Sequence, residues 1–217
     1  MLVKKALVVG GGQAPATPTL LKFANECDLV VGADLGAEHL LKVGKIPDLV
    51  IGDMDSCARG VISKLESTGC EIVIYDSEKD FTDLEAALDY CVEKGYVDIT
   101  VLAAIHGRRT DHVFGNVFLL TKYVNKNIRV RLCDDNGRSL EIINKDLKIT
   151  GKPGAYVSLI PVTDKVTGVT TAGLKYPLNN YTLTQGNTLG VSNELTEDEA
   201  YINIHEGLLL VIKELDS

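Results

Sequence analysis

The sequence predicts an α/β amino-terminal domain, with a mainly parallel sheet and flanking helices, joined to a smaller all-β sandwich domain. Two observations carry this expectation. Up to about residue 135, short apolar runs alternate with segments whose apolar residues recur at helical spacing, the rhythm of strands joined by crossover helices. Beyond Asn136 the runs are short, rich in Val, Thr, Ile and Tyr, and broken by Gly, Pro and Asn, which suits antiparallel strands with tight turns. The boundary falls at "DDNGR" (134–138), giving domains at 1–135 and 136–217.

In chain order, strands are expected over 6–9, 29–33, 49–51, 71–75, 99–105 and 128–133. The helical segments between them are "PTLLKFANEC", "GAEHLLKVG", "ARGVISKLESTG", "DLEAALDYCVEKG" and "DHVFGNVFLLTKYVN", several closed by Gly or Asn. Continuous apolar strands such as "TVLAAI" point to burial on both faces. In the second domain the strand-like stretches are "SLEIIN", "LKITG", "AYVSLIPV", "VTGVTTAG", "YTLTQG" and "LLLVIKEL". The glycines at 10–12 do not complete a dinucleotide fingerprint, because Pro15 stands where the third glycine belongs, and no GK[ST] follows for a P-loop. They read as a tight strand-to-helix turn, with Thr17 capping the helix and Pro18 at its first position, and with a weak role near a nucleotide.

Composition narrows the function classes. The 217 residues are 45% hydrophobic and 24% charged, enough to bury a sizeable core. A formal net charge of -8 argues against a general nucleic-acid surface, which needs clustered Lys and Arg. The five scattered cysteines lack CxxC spacing and read as reduced thiols of a cytoplasmic protein. No stretch approaches the ~18 apolar residues of a membrane span, and no G-x-S-x-G elbow or zinc spacing is present.

The informative residues are polar ones at strand ends. Asp34 follows the second strand, Asp53 and Asp55 the third, Asp76, Asp80 and Asp83 the fourth, and His106, Arg108, Arg109 and Asp111 the fifth. In an open parallel sheet, ligands bind outside the carboxyl ends of the strands. Carboxylates gathered there repel unless a cation sits among them, and hard oxygen ligands suit Mg²⁺ carrying a polyphosphate. Arg109 and Arg108 could pair with phosphate oxygens. Simpler readings stand beside this one. Thr82 to Glu85 forms a capping box, Asp83 and Asp111 open helices where a carboxylate is favoured in any protein, and Ser56 reads as a helix cap. His106 and His112 are equally structural or substrate-facing, whereas His39 and His205 look isolated.

With these residues in view, the chain resembles the thiamine pyrophosphokinase family. "ADLGAEHLLKVGKIPDLVIGDMDS", "EKDFTDLEAALDYC", "HGRRTDHVFGNVFLL", "SLIPV", "GLKYPL" and "GVSNE" match its blocks in order and spacing along nearly the whole chain. The resemblance implies a homodimer, with the site shared between the α/β domain of one subunit and the sandwich of the other. It implies a reaction in which the thiamine hydroxyethyl oxygen attacks the β-phosphorus of ATP, giving thiamine diphosphate and AMP with Mg²⁺. It places Asp53, Asp55 and Asp83 on the metal, and Arg109 and Asp111 beside the reacting groups. Asp34, Asp80, Thr82, Arg108, His112 and Asn116 fall to the nucleotide, and Tyr176, Ser192 and Asn193 to thiamine. Tyr176 stands where the family often has Trp, Arg108 and Ala104 where many members have Gly, and Leu35 replaces a common Gly after Asp34. The alternatives are a pyrophosphokinase for another heterocyclic alcohol, such as a pterin-like one, and a catalytically silent nucleotide-sensing module. Neither nucleic acid nor membrane is expected as a partner.

Overall fold

The computed structural model describes residues 3–54, 60–107 and 109–214. The chain divides into two compact units, Met1–Leu119 with Lys126–Asp135, and Leu120–Asn125 with Asn136–Ser217.

The first unit runs β1 (Lys5–Val9), α1 (Thr17–Glu26), β2 (Leu29–Ala33), α2 (Gly36–Lys42), β3 (Leu49–Gly52), α3 (Val61–Glu66), β4 (Glu71–Ile74), α4 (Asp83–Glu93), β5 (Asp98–Leu102), α5 (Thr110–Leu119) and, after α6 (Thr121–Val124) of the second unit, β6 (Arg129–Cys133). Its strands lie in the order β6-β5-β1-β2-β3-β4, every neighbouring pair parallel. The central strands β1, β2 and β3 are buried almost throughout, as continuous apolar runs covered on both faces require. At the edge, β4 is only half-buried, and its Ile74 is exposed. Helices α1 and α2 set Leu20, Ala24 and Leu40 against Leu7, Val9, Val30 and Leu102. Each large side chain buried there contributes about 1.5–3 kcal/mol.

Local chemistry explains the helix ends. Thr82 caps α4, its Oγ1 accepting the Glu85 amide at 3.2 Å, and Asp83 and Glu85 place negative charge in the first turn. Expectation and structure differ at α1, whose N-cap is Ala16 rather than Thr17. Its amide is bonded instead to Asp135 Oδ1 at 2.8 Å, and Pro18 is tolerated one position later because that amide would also lack a helical partner. The apolar run at 99–105 is not one strand either: β5 stops at Leu102, because Ala103 turns into the left-handed region at φ 57°. The last helical segment divides at Leu120, whose carbonyl accepts both the Tyr123 and Val124 amides, at 3.2 and 3.4 Å.

In the second unit β7 (Ser139–Ile143), β8 (Leu147–Thr150), β9 (Tyr156–Pro161), β10 (Lys165–Ala172), β11 (Tyr181–Thr184), β12 (Asn193–Glu194), β13 (Glu199–Asn203) and β14 (Leu209–Lys213) form an antiparallel sandwich. One layer is ordered β12-β9-β14-β7 and the other β11-β10-β13-β8. Alternation along β9 turns Val157 and Leu159 inward onto Val166, Val169, Leu183, Ile202 and Leu209. Among the described residues no helix is long and apolar enough to cross a membrane.

Candidate active site

Chain order in the parallel sheet reverses at β1, which lies between β2 and β5, and this switch point is where an open α/β sheet takes ligands. A cleft of about 830 Å³ opens there, of the size that holds small molecules and cofactors. Its walls are the glycine loop after β1, the end of β2 with residues 34–35, the turn leading into α4, and the β5–α5 connection.

Hydrogen bonds knit these walls together. Gly10 and Gly12 donate to the carbonyls of Leu102 and Ala103 at 2.9 and 2.8 Å, and Gln13 donates to His106 O at 3.2 Å. The Gly10 and Gly12 amides are thereby spent within the protein, so this loop shapes the cleft rather than cradling a phosphate through those groups. Asn116 Nδ2 donates to Ala104 O at 2.9 Å, and His106 Nε2 donates to the buried Asp134 carboxylate at 2.9 Å. Asp34, Met54 and Ala103, each just past a strand, have positive φ of 47°, 59° and 57°. Such conformations cost about 1–3 kcal/mol each and gather at functional sites.

His39 Nε2 donates to Gly12 O at 3.0 Å from a largely buried ring. Burial pushes its pKa below the ordinary value, although the bond to Gly12 opposes the shift. The native ring is therefore neutral where an unfolded chain would already take a proton. As pH falls through about 6.5 the unfolded state binds the proton first, and stability is lost on the acid side. Thermal melts between pH 8 and pH 5 should show this decline, and His39→Gln, which retains an N–H donor, should flatten it. Parallel slopes for the two proteins would exclude His39 as the cause.

Asp53 and Asp83 converge on one ammonium. Lys79 Nζ lies 3.0 Å from Asp83 Oδ1 and 3.5 Å from Asp53 Oδ2. Burial pulls this ammonium toward neutrality, but the two carboxylates, Asp83 foremost, outweigh it and hold its pKa above the usual lysine range. Gly52 permits the approach: its φ is 151°, and a Cβ there would stand 3.1 Å from the Asp83 carboxyl carbon. Asp83 Oδ1, shielded from solvent, takes no well-directed hydrogen bond despite the nearby ammonium, so a buried oxygen lone pair is still available. Hard carboxylate oxygens with spare capacity fit a divalent cation such as Mg²⁺. Among the described residues no three His, Cys, Asp or Glu side chains are grouped to hold a metal, and Asp55 lies outside those residues, as does Arg108.

The other anticipated residues separate. Asp34, Thr82, Asp83, Arg109, His112 and Asn116 line the cleft. Asp80 is exposed, and neither it nor Asp111 is part of the lining. Arg109 is instead engaged by Asp111, its Nε and Nη2 donating at 2.6 to 3.2 Å, and these bonds hold the Asp111 carboxyl well below the usual carboxylate range. Lys79, Gln13, Ser77 and Phe81 also line the cleft and were not anticipated. Only for Lys79 did the sequence carry a signal, a cation set among Asp76, Asp80 and Asp83.

In the sandwich, Tyr176, Ser192 and Asn193 form one cluster. Asn193 is buried and clamps the Tyr176 backbone: its Oδ1 accepts the Tyr176 amide at 3.0 Å, and its Nδ2 donates to the Tyr176 carbonyl at 2.8 Å. The Tyr176 ring is thereby presented to solvent, 60% exposed, with Lys175 Nζ 5.6 Å from its centre. Ser192 takes a left-handed φ of 61°, and its amide donates to Ser158 Oγ at 3.1 Å.

Residues 20–132 match the family described as thiamin pyrophosphokinase, catalytic domain, and residues 141–209 match thiamin pyrophosphokinase, vitamin B1 binding domain. The chain belongs to the thiamine pyrophosphokinase family. Its relatives include the thiamine pyrophosphokinase of Bacillus subtilis, 35% identical over 99% of this chain and 100% of that protein. Another is thiamin pyrophosphokinase 1 of Caenorhabditis elegans, 27% identical over 87% of this chain and 80% of that one. Crystal structures of the Bacillus subtilis and Geobacillus thermodenitrificans enzymes superpose with TM-scores of 0.86 and 0.84, at 33% and 34% identity. These cover 99% and 98% of this chain and 100% and 98% of theirs. As a member of the thiamine pyrophosphokinase family, the chain carries the Asp53, Lys79 and Asp83 cluster within its catalytic-domain match and the Tyr176 cluster within its vitamin B1 match.

Proposed function

We propose that the protein transfers a pyrophosphoryl group from ATP to the hydroxyethyl oxygen of thiamine, with Mg²⁺, releasing AMP. The observation that carries this reading is the convergence of Asp53 and Asp83 on Lys79, which lines the switch-point cleft together with Asp83, while Asp53 meets the ammonium from outside that lining. Asp53 and Asp83 would hold Mg²⁺, with Asp55 as the third acid; when bound, the metal supplies charge neutralisation for the polyphosphate. The protein's own part is positioning and electrostatic stabilisation, which pyrophosphoryl transfer chiefly demands.

Asp111 fixes the Arg109 guanidinium through Nε and Nη2, leaving Nη1 to donate to a phosphate oxygen. Asn116 anchors the β5–α5 connection, keeping His106 and Arg109 at the cleft. Thr82 fixes the start of α4 and so the place of Asp83, while Asp34 and His112 complete the nucleotide side. Tyr176, locked by Asn193, would offer its ring face to the cationic thiazolium, with Ser192 beside it. Asp80, exposed, would act at most on the outer edge of the nucleotide. We further infer a cytoplasmic homodimer that shares this site between subunits, as the family resemblance implies.

The test is to incubate the protein with ATP, thiamine and Mg²⁺, with and without chelator, and to identify products by mass. AMP with thiamine diphosphate, abolished by chelator, is expected. ADP with thiamine monophosphate, or no thiamine product, would overturn the proposal.

A further inference from the structure

Lys79 lies in the turn between β4 and α4, outside any regular element, yet its side chain is only 9% exposed. Its Nζ reaches three oxygens from different parts of the rim: Asp83 Oδ1 at 3.0 Å, Asp53 Oδ2 at 3.5 Å and the Asp76 carbonyl at 3.4 Å. Without a positive charge between them, Asp53 and Asp83 would face one another partly buried, an arrangement that like charges disfavour. The two carboxylates project from different stretches of chain, one just past β3 and the other at the first position of α4. The fold brings them near one another, and the ammonium between them offsets their repulsion.

We propose that Lys79 is a positioning residue that serves as the resting counter-ion of the metal-binding acids, holding Asp53 and Asp83 together until a divalent cation displaces it. The inference rests on the reading of these two aspartates as metal ligands. Both cations seek the same oxygen: a Mg²⁺ ion bonds a carboxylate at about 2.0–2.1 Å, and Asp83 Oδ1 is the atom the ammonium already approaches most closely. A lysine ammonium is a compact charge on a flexible four-carbon stem, so it can leave without moving the backbone. Lys79 also lines the cleft, so an ammonium released by the metal stays beside the anionic substrate. Metal loading is then an exchange of one cation for another inside a preformed pair of acids.

The test titrates Mg²⁺ alone into wild type, Lys79→Gln and Lys79→Arg by calorimetry, with thermal melts in chelator and in saturating Mg²⁺. Removing the competitor should tighten Mg²⁺ binding in Lys79→Gln by about tenfold, within the range of typical couplings between two ligands. The same variant should melt earlier than wild type in chelator and regain most of the difference with Mg²⁺. Lys79→Arg, which keeps the charge, should behave like wild type in both measurements. Unchanged or weaker Mg²⁺ binding in Lys79→Gln would overturn the proposal, as would an equal loss of Tm with and without the metal. Equal Mg²⁺ affinity in wild type and Asp83→Asn would remove the underlying metal assignment itself, a result recognisably different from either.

Discussion

Asp83→Asn should lower kcat by two to three orders of magnitude while shifting Tm by only a few degrees. The substitution keeps the size of the side chain and its place at the start of α4, where the Thr82 cap is undisturbed. It removes the charge that meets Lys79 and, on the proposed reading, one oxygen donor to Mg²⁺. Loss of a preorganised electrostatic contact at the reacting centre typically costs 10²–10³ in turnover. Folding loses much less. The interaction with the helix N-terminus is worth about 0.3–1 kcal/mol, and a partly exposed ion pair about 0–1 kcal/mol. At about 2–4 °C per kcal/mol for a chain of this size, the Tm shift stays small. Steady-state rates of thiamine diphosphate formation, measured beside a thermal melt, separate the two effects. Turnover within a few-fold of wild type would remove Asp83 from the reacting centre.

Gly36→Ala should produce the largest loss of stability, about 3 kcal/mol or more, which corresponds to roughly 6–12 °C in Tm. Gly36 opens α2, and a Cβ built there would lie 1.8 Å from the carbonyl oxygen of Val9 and 2.6 Å from its carbon. Both are backbone atoms at the end of β1, a strand buried in the middle of the sheet, so neither can turn aside as a side chain would. Helix α2 must lift away from the strand, taking Ala37 and Leu40, both fully buried, out of contact. Gly115→Ala is the control. It lies in α5 with nothing within 4 Å of the added Cβ, and alanine there should stabilise the helix by about 0.5–1 kcal/mol. Urea or thermal unfolding of both variants measures the contrast. A Gly36→Ala protein as stable as wild type would mean that the α2 start yields at no cost.

Legibility in the sequence followed the range of the interaction. The strand at 29–33 was readable because five consecutive apolar or small residues leave few alternatives to a buried strand, and β2 occupies that span. The start of α4 was readable because Thr82 and Glu85 interact across three residues. By contrast, the apolar run at 99–105 overstates β5, which ends at Leu102. Ala103 looks like any apolar strand residue, and its left-handed turn is held by a bond from Gly12, far away in the chain. The cap of α1 escapes local spacing for a similar reason, since it falls on Ala16, whose amide is satisfied by Asp135 from the far end of the unit.

The sequence by itself determined that strand ends carry acids, that an α/β unit precedes a β sandwich, and that the chain resembles one family, because each follows from local spacing and composition. Only the tertiary structure decided which of those acids meet. It brought Asp53 and Asp83 onto Lys79, left Asp80 in solvent, and committed Arg109 to Asp111. The physical reason is that convergence depends on the order of strands in the sheet and on the turn that carries Lys79 inward. Both are set by contacts between residues far apart in sequence, which spacing alone does not encode.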